Sequence, residues 1–471
     1  MKAILVVTGL GILALLAELF RFRKVLFPLI ILGLLGAIGA ALSYWWFDDG
    51  EYAKYFNNMI RFEESSVIMS VIILSTTLLW FLMSNKFLSD DGSRSDLSSL
   101  VLFSVVGALV LTSYTNMTML FLGVEMLSIP LYVLAGSKKN AVESNEAAFK
   151  YFLLGSFASA FLLFGIALIY GATGSFDLAV MGEMINTNID KLPGFFYGGV
   201  IMLLIGLLFK ISAAPFHFWA PDVYQGAPTQ VTAFMSTIVK TAAIVTIMRL
   251  FLTVVFSGIE SFWTPILAFS TGLTFIIGNV TAVVQEKVKR ILAFSSISHA
   301  GFLLLAVAAY SAFSAKAIIF YTAAYSVASI LAFTVLINVM EQQGGDDIRN
   351  FEGLSKRNPL LALCMTIALL SLAGIPPTAG FFGKYYVFNA ALESGHAWLV
   401  ILGILSSLVG VYYYFRIIIA MYFKPASDDR TLNADATHQL LLFVTAVATI
   451  VLGLLPDLLL NIGSAAANVT P

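Results

Sequence analysis

The chain of 471 residues has a single cysteine, Cys364, and four histidines, His217, His299, His396 and His438. One cysteine forms no internal disulfide and supplies neither a four-cysteine iron–sulfur site nor a zinc knuckle. A redox centre in this chain would have to rest on the histidines, and no two of them stand at the i, i+3 or i+4 spacing that brings side chains together on a helix. Charge is scarce as well. Only 11% of residues are Asp, Glu, Lys or Arg, against about a quarter in soluble domains, and the net charge of −1 leaves no basic footprint for nucleic acid. In place of charge stands apolar surface, 59% of residues, with a mean hydropathy of +0.91. That excess excludes a disordered scaffold and a soluble enzyme, and it must face lipid.

At roughly 20 apolar residues per crossing, the sequence reads as fourteen spans, at about 3–20, 25–47, 67–85, 97–115, 117–135, 147–171, 195–225, 230–255, 262–281, 290–310, 315–341, 359–394, 398–423 and 438–462. The expected fold class is therefore an all-α polytopic membrane protein. The longest polar connections, about 48–66, 172–194 and 341–358, are too short to fold alone. Lys2 leads directly into an apolar span ending in Glu18 and the basic run Arg21, Arg23, Lys24, which reads as a retained first helix and not a cleavable signal. The letters G-x-G-x-x-A at Gly9, Gly11 and Ala14 lie inside that helix without a preceding strand, so they read as helix packing and not as a nucleotide fingerprint; Gly33, Gly36 and Gly39 read as a second close-approach face.

Basic residues set the orientation. Fifteen follow odd-numbered spans, whereas only Lys2, Lys54, Arg61, Lys191 and Lys316 lie on the other side. The positive-inside rule then puts both termini outside the cytoplasm, in a bacterial inner membrane. Six basic residues remain within spans: Lys150, Lys210, Lys240, Arg249, Lys384 and Arg416.

Two spans are interrupted. The seventh contains Pro215 and Pro221, and the twelfth contains Gly374, Pro376 and Pro377. Proline frees backbone carbonyls, and such breaks survive at membrane depth only where protein or a hydrated cavity satisfies them again. The breaks are five spans apart, an odd number, so the two segments run in opposite directions, as an inverted five-helix repeat requires. The expected organisation is an N-terminal three-helix segment (1–96), a first repeat of spans four to eight (97–255), a second of spans nine to thirteen (262–423) and a C-terminal helix and tail (438–471).

A charge near the bilayer centre costs at least ~2.5 kcal/mol, so each asks for a partner, a cavity or a task. For Glu125, mid-span, and Lys210, five residues before a helix break, a structural ion pair is the plain alternative to function; Lys240 lies mid-span, too deep to snorkel comfortably, and Lys384 is nearer a span end, where a lysine can snorkel. Arg249 and Arg416 read as snorkelling residues, Lys150 as a residue that snorkels or relays, and His217 and His299 as proton relays or satisfied buried contacts. A buried lysine beside a carboxylate changes charge state with small movements or hydration. Serines such as Ser212, Ser236 and Ser298 can hold water between such sites. The residues themselves thus describe a proton or cation conduit.

The run KISAAPFHFWAPDVYQGAPTQVTAFMSTIVKTAAI (210–244) resembles the signature of the antiporter-like membrane subunits of respiratory complex I, the proton-translocating NADH:quinone oxidoreductase. FLGVEMLSIPLYVL (121–134), QEKVKRILAFSSISHAGF (285–302) and LAGIPPTAGFFGKYYVF (372–388) extend the resemblance, in order, over nearly the whole chain. Within that family the chain looks closest to the branch that carries lysine in span twelve, where a sister subunit has glutamate, and that lacks the long lateral helix of another. The resemblance implies two inverted repeats with broken helices seven and twelve and a hydrophilic axis at mid-membrane. It makes Glu125 the modulating carboxylate, Lys210 the central lysine, Lys240 the linking lysine and Lys384 the terminal one, with Lys150 matching a lysine at the start of helix six.

The same resemblance implies a non-redox subunit of a translocase, without cofactor or metal of its own. FMN, iron–sulfur clusters, NADH and quinone are expected in the complex through other subunits, and the expected partners are its antiporter-like and small membrane subunits and the lipid bilayer. The alternative is a subunit of a monovalent cation/proton antiporter, which uses the same helices and charges.

Overall fold

The computed structural model describes residues 1–17, 23–45, 54–89, 94–252, 255–426 and 431–466. Glu18, Arg21 and Arg430, which entered the reading of the first helix and the orientation, lie outside the described residues, as does the end of the C-terminal tail. The described chain is helical apart from a two-residue antiparallel pair, Lys54–Tyr55 with Ile60–Arg61, in the connection before span three.

Eleven helices among the described residues are long and apolar enough to cross a membrane, and three shorter apolar helices, Lys2–Ala17, Gly194–Lys210 and Pro359–Ala373, stand where spans one, seven and twelve were read. The crossing-length stretches Thr229–Phe251 (span eight) and Val288–Ala309 (span ten) are buried throughout, and Ser314–Gln343 (span eleven) nearly so. Val142–Thr173 (span six), Ala397–Phe423 (span thirteen) and Ala436–Leu454 (span fourteen) are mostly uncovered, presenting Phe157, Phe164, Leu408 and Phe443 outward. Spans eight, ten and eleven are therefore the centre of the bundle. Polar groups in the middle of these spans, such as Lys240, His299 and Ser326, are buried.

Glycine sets the tightest contacts. A Cβ at Gly107 of span four would lie 2.4 Å from the backbone nitrogen of Leu127 in span five, and one at Gly278 of span nine 2.9 Å from that of Ser298 in span ten. Small residues let helix backbones approach in a membrane, where apolar side chains gain nothing by leaving lipid. Of the glycines read as packing faces, Gly11 meets Phe103 and Gly33 meets Leu10, whereas Gly9, Gly36 and Gly39 face open space. The close-approach reading of the last three is therefore corrected.

A matching pair of loop contacts accompanies those glycines. Asn116 bridges Asp177, with Met117 N donating to Phe176 O and Leu178 N to Thr115 O; Lys287 bridges Asp347, with Val288 N donating to Asp346 O and Ile348 N to Glu286 O. Gly107 and Gly278, Asn116 and Lys287, and Leu127 and Ser298 are related by one constant sequence offset, and Asp177 and Asp347 by the same offset within one residue.

Candidate functional site

Spans seven and twelve are each divided in two. Span seven runs as Gly194–Lys210 and then Trp219–Gly226, and span twelve as Pro359–Ala373 and then Ala379–Glu393. The Ala214–Pro215 and Pro376–Pro377 bonds in the breaks are cis. In span seven the freed backbone of Ala214 is taken up by span nine: Ala214 N donates to Thr274 Oγ1 at 2.9 Å, and Ser270 Oγ donates to Ala214 O at 2.6 Å. Trp219 closes the same break by stacking on Phe209 and donating its indole N–H to Phe209 O. Removing both hydroxyls, as Ser270→Ala with Thr274→Val, orphans two buried backbone groups at about 1–3 kcal/mol each. The double variant is expected to lower the thermal unfolding midpoint of the purified complex measurably; an unchanged midpoint would mean the break is held by other contacts.

The break in span twelve has a different solution. Gly374 ends the first half with φ +83, and a Cβ there would stand 2.7 Å from Lys384 Cδ, so the position demands glycine twice over, for its backbone and for the stem beside it. Lys384 Nζ then donates to the freed Ala373 O at 2.8 Å and to Ser407 Oγ at 3.2 Å, with the Phe302 ring 4.8 Å away. It is buried and not snorkelling.

The other sequence-designated residues form two more groups. Lys210, at the last turn before the break, donates to Ser128 Oγ, which in turn donates to Val124 O. Glu125 lies one turn before Ser128 on span five and accepts from Ser159 Oγ of span six. The carboxylate and the ammonium's partner Ser128 thus lie one turn apart on span five, and among the described residues Glu125 and Lys210 form no direct ion pair. Around them Tyr151 stacks on Trp219 at 4.7 Å, with Lys210 Nζ 6.0 Å from its ring. Lys240 is 1% exposed and follows a π-turn at Met235–Val239; it donates to both the carbonyl and the hydroxyl of Ser296 in span ten. Tyr325 OH of span eleven also donates to Ser296 Oγ, at 2.9 Å.

His299 is central in the second half. Its Nδ1 pairs with Tyr321 OH at 2.7 Å and its Nε2 with Tyr414 OH at 3.3 Å. His299, Tyr321, Tyr325, Ser371 and Lys384 line one small cavity of about 10 Å³, room for about one water. The Lys240 and Lys384 groups therefore share a wall, since Tyr325 reaches Ser296 from the cavity's lining. His217 sits in the span-seven break, half-buried, and among the described residues its Nδ1 has no partner. Lys150 is placed apart from all of these. It is 40% exposed and pairs with Glu146 at 2.7 Å and with Asp222 at 3.1 Å.

Two basic residues depart from the sequence reading. Arg249 does not snorkel: it is buried, 3.7 Å from Glu63, donates to Ser66 Oγ and Tyr114 O, and covers the Tyr114 ring. Lys289, counted among loop residues, is 3% exposed and donates to Gln225 O and Ala227 O. It thereby caps the carbonyl end of the second half of span seven. Its position at the head of an apolar helix gave the only signal for this. Arg416, half-buried near the end of span thirteen, donates to Val283 O at the end of span nine. Among the described residues no three His, Cys, Asp or Glu side chains converge as a metal site would require.

Two broken helices and buried lysines held by hydroxyls across a helical membrane bundle define an antiporter-like membrane subunit. The comparisons with known proteins narrow this class. Residues 114–410 match the family described as NADH:quinone oxidoreductase/Mrp antiporter, transmembrane. Curated relatives include the NADH-quinone oxidoreductase subunit N of Cytophaga hutchinsonii, 42% identical over 98% of this chain and 99% of that one, and that of Flavobacterium johnsoniae, 43% identical over 98% and 100%. A chain of respiratory complex I from Thermus thermophilus is 32% identical, covers 98% of each chain and superposes with a TM-score of 0.80. The chain belongs to the NADH:quinone oxidoreductase/Mrp antiporter family, and its full-length similarity places it with the subunit N members.

Proposed function

We propose that this chain is a proton-translocating membrane subunit of an NADH:quinone oxidoreductase, with Glu125, Lys210, Lys240 and Lys384 as the sites that load and pass protons and with His299 between the last two. The observation that carries the reading is the shared cavity. Lys240 reaches it through Ser296 and Tyr325, Lys384 lines it directly, and both lysines are too deeply buried to serve as surface anchors. On this reading NADH oxidation and quinone reduction take place in partner subunits that carry the FMN and iron–sulfur clusters. This chain contributes only groups that hold or release a proton.

The chain is read as crossing a bacterial inner membrane fourteen times with both termini outside the cytoplasm, and as two inverted repeats of spans four to eight and nine to thirteen. The constant offset relating the glycine contacts and loop bridges of the two halves supports the repeat. The same offset sets Glu125 opposite Ser296 and Ser128 opposite His299. The two halves thus place different polar groups on one scaffold, a carboxylate and a hydroxyl in the first and a hydroxyl and an imidazole in the second. His217 and Lys150 remain candidates for relay at the mouth of the first half. A monovalent cation/proton antiporter would use the same residues, and the family description spans both kinds of complex. Purification with its partners separates the two, since only the oxidoreductase brings flavin and iron–sulfur subunits.

Glu125 offers a direct test of the charge. Glu125→Gln keeps an acceptor for Ser159 and deletes the charge beside Lys210; Glu125→Asp keeps the charge and retracts it by one methylene. If the charge supports the protonated lysine, the glutamine variant is expected to lose severalfold more proton translocation in proteoliposomes than the aspartate variant. Equal losses with assembly intact would assign Glu125 to packing.

A further inference from the structure

A second hydrogen-bonded line enters the Lys384 cavity, from a direction the lysine file does not use. Ser295 Oγ of span ten bonds Tyr414 OH of span thirteen, Tyr414 OH bonds His299 Nε2, and His299 Nδ1 bonds Tyr321 OH, which lines the cavity. All four residues are buried. Each member has both a proton to give and a lone pair to receive one: a hydroxyl donates once and accepts, and a neutral imidazole donates from one nitrogen and accepts at the other. The line therefore has two polarities. In one, Ser295 donates to Tyr414, Tyr414 to Nε2, and Nδ1–H to Tyr321; in the other, every bond is reversed and the imidazole holds the opposite tautomer.

That property is what proton passage requires. A proton arriving at Ser295 Oγ displaces the hydroxyl proton to Tyr414, Tyr414 gives its own to Nε2, the imidazolium releases the Nδ1 proton to Tyr321, and Tyr321 gives its hydroxyl proton to the cavity beside Lys384. One proton enters, one leaves, and no bond other than O–H and N–H changes. Ser295 lies two turns, about 10 Å, from the start of its helix. That end carries Lys287, Lys289 and Arg290, and Tyr414 lies toward the end of span thirteen that carries Lys424. The outer end of the line thus points to the basic side of the bundle.

We propose that Ser295, Tyr414, His299 and Tyr321 form a branch that delivers protons from the cytoplasmic side to the Lys384 cavity, independently of Lys210 and Lys240. The proposal rests on the functional reading above. Tyr413, the adjacent residue, provides the control. Its hydroxyl donates to Asn279 Oδ1, within a cluster that ties span nine to Ser298 and Ser406, and although it lies beside the Ser295 and Tyr414 hydroxyls it is not a link on the path from Ser295 through His299 to Tyr321. Tyr414→Phe removes a single oxygen and keeps the ring that packs at 4.5 Å on Tyr413.

The experiment compares Tyr414→Phe, Tyr413→Phe and Ser295→Ala in the assembled complex in proteoliposomes, with proton translocation expressed per NADH oxidised. Tyr414→Phe and Ser295→Ala are expected to at least halve that ratio at unchanged complex content, with Tyr413→Phe near the parent value. A parental ratio in Tyr414→Phe overturns the branch, and so does an equal loss in Tyr413→Phe, which would mark a packing effect. Lys384→Met, run alongside, separates the two readings: its loss together with a parental Tyr414→Phe removes the branch alone, whereas its full retention removes the Lys384 assignment on which both rest.

Discussion

Lys210→Ala is expected to reduce proton translocation by the assembled complex to roughly a tenth of the parent rate or less, since one proton-transferring group contributes about 10²–10⁴-fold. The residue stands at the last turn before the break, and its buried ammonium donates to Ser128 Oγ on span five. Alanine leaves that hydroxyl without a donor and leaves no group to load. Two further variants separate charge from shape. Lys210→Met keeps the length and is expected to fail as alanine does, because the loss lies in titration and not in packing. Lys210→Arg keeps a charge that does not release its proton in proteins, and is expected to assemble yet pump poorly. Parental translocation in an assembled methionine variant would remove Lys210 from the proton path.

Much of this site was legible in the sequence because its signals are local. A proline pair or a Gly-Ile-Pro-Pro run inside an apolar stretch announces a break, and a lysine amid twenty apolar residues announces a buried charge. The mid-span positions of Glu125, Lys210 and Lys240 needed nothing beyond hydropathy. What escaped is what depends on partners distant in the chain. Arg249 and Arg416 have the same appearance in the sequence, each near a span end, yet one is buried against Glu63, 186 positions away, and the other is half-buried over Val283 O. Lys289 belongs to a basic run that reads as a loop, and only the carbonyls of Gln225 and Ala227 explain why its ammonium is buried. Serine and tyrosine escaped for another reason. They are common in membrane helices, and nothing in the spacing of Ser295 and Tyr414 indicates that their hydroxyls meet.

The Lys384 site makes the sharper demand on chemistry. Its ammonium donates to Ala373 O, a carbonyl freed by the break, and to Ser407 Oγ, beside the Phe302 ring. Lys384→Met fills nearly the same volume and satisfies neither acceptor, so the variant is expected to lose translocation to about the extent of Lys210→Met and to lose some stability with it, about 1–3 kcal/mol for the orphaned carbonyl. Lys384→Glu retains a group that titrates but changes what it offers its neighbours. The carboxylate accepts from Ser407 and has nothing to donate to Ala373 O, whereas the protonated acid donates to that carbonyl as the lysine does. Loading and unloading therefore persist with altered relative stability of the two forms. The expected result is partial translocation, well above the methionine variant and below the parent, with a displaced pH optimum. Translocation and NADH oxidation measured across a pH series on the three assembled complexes decide the matter. If methionine and glutamate pump equally, the hydroxyl, imidazole and phenol groups around the cavity suffice without an ionisable residue at 384, and the proton route ends at His299.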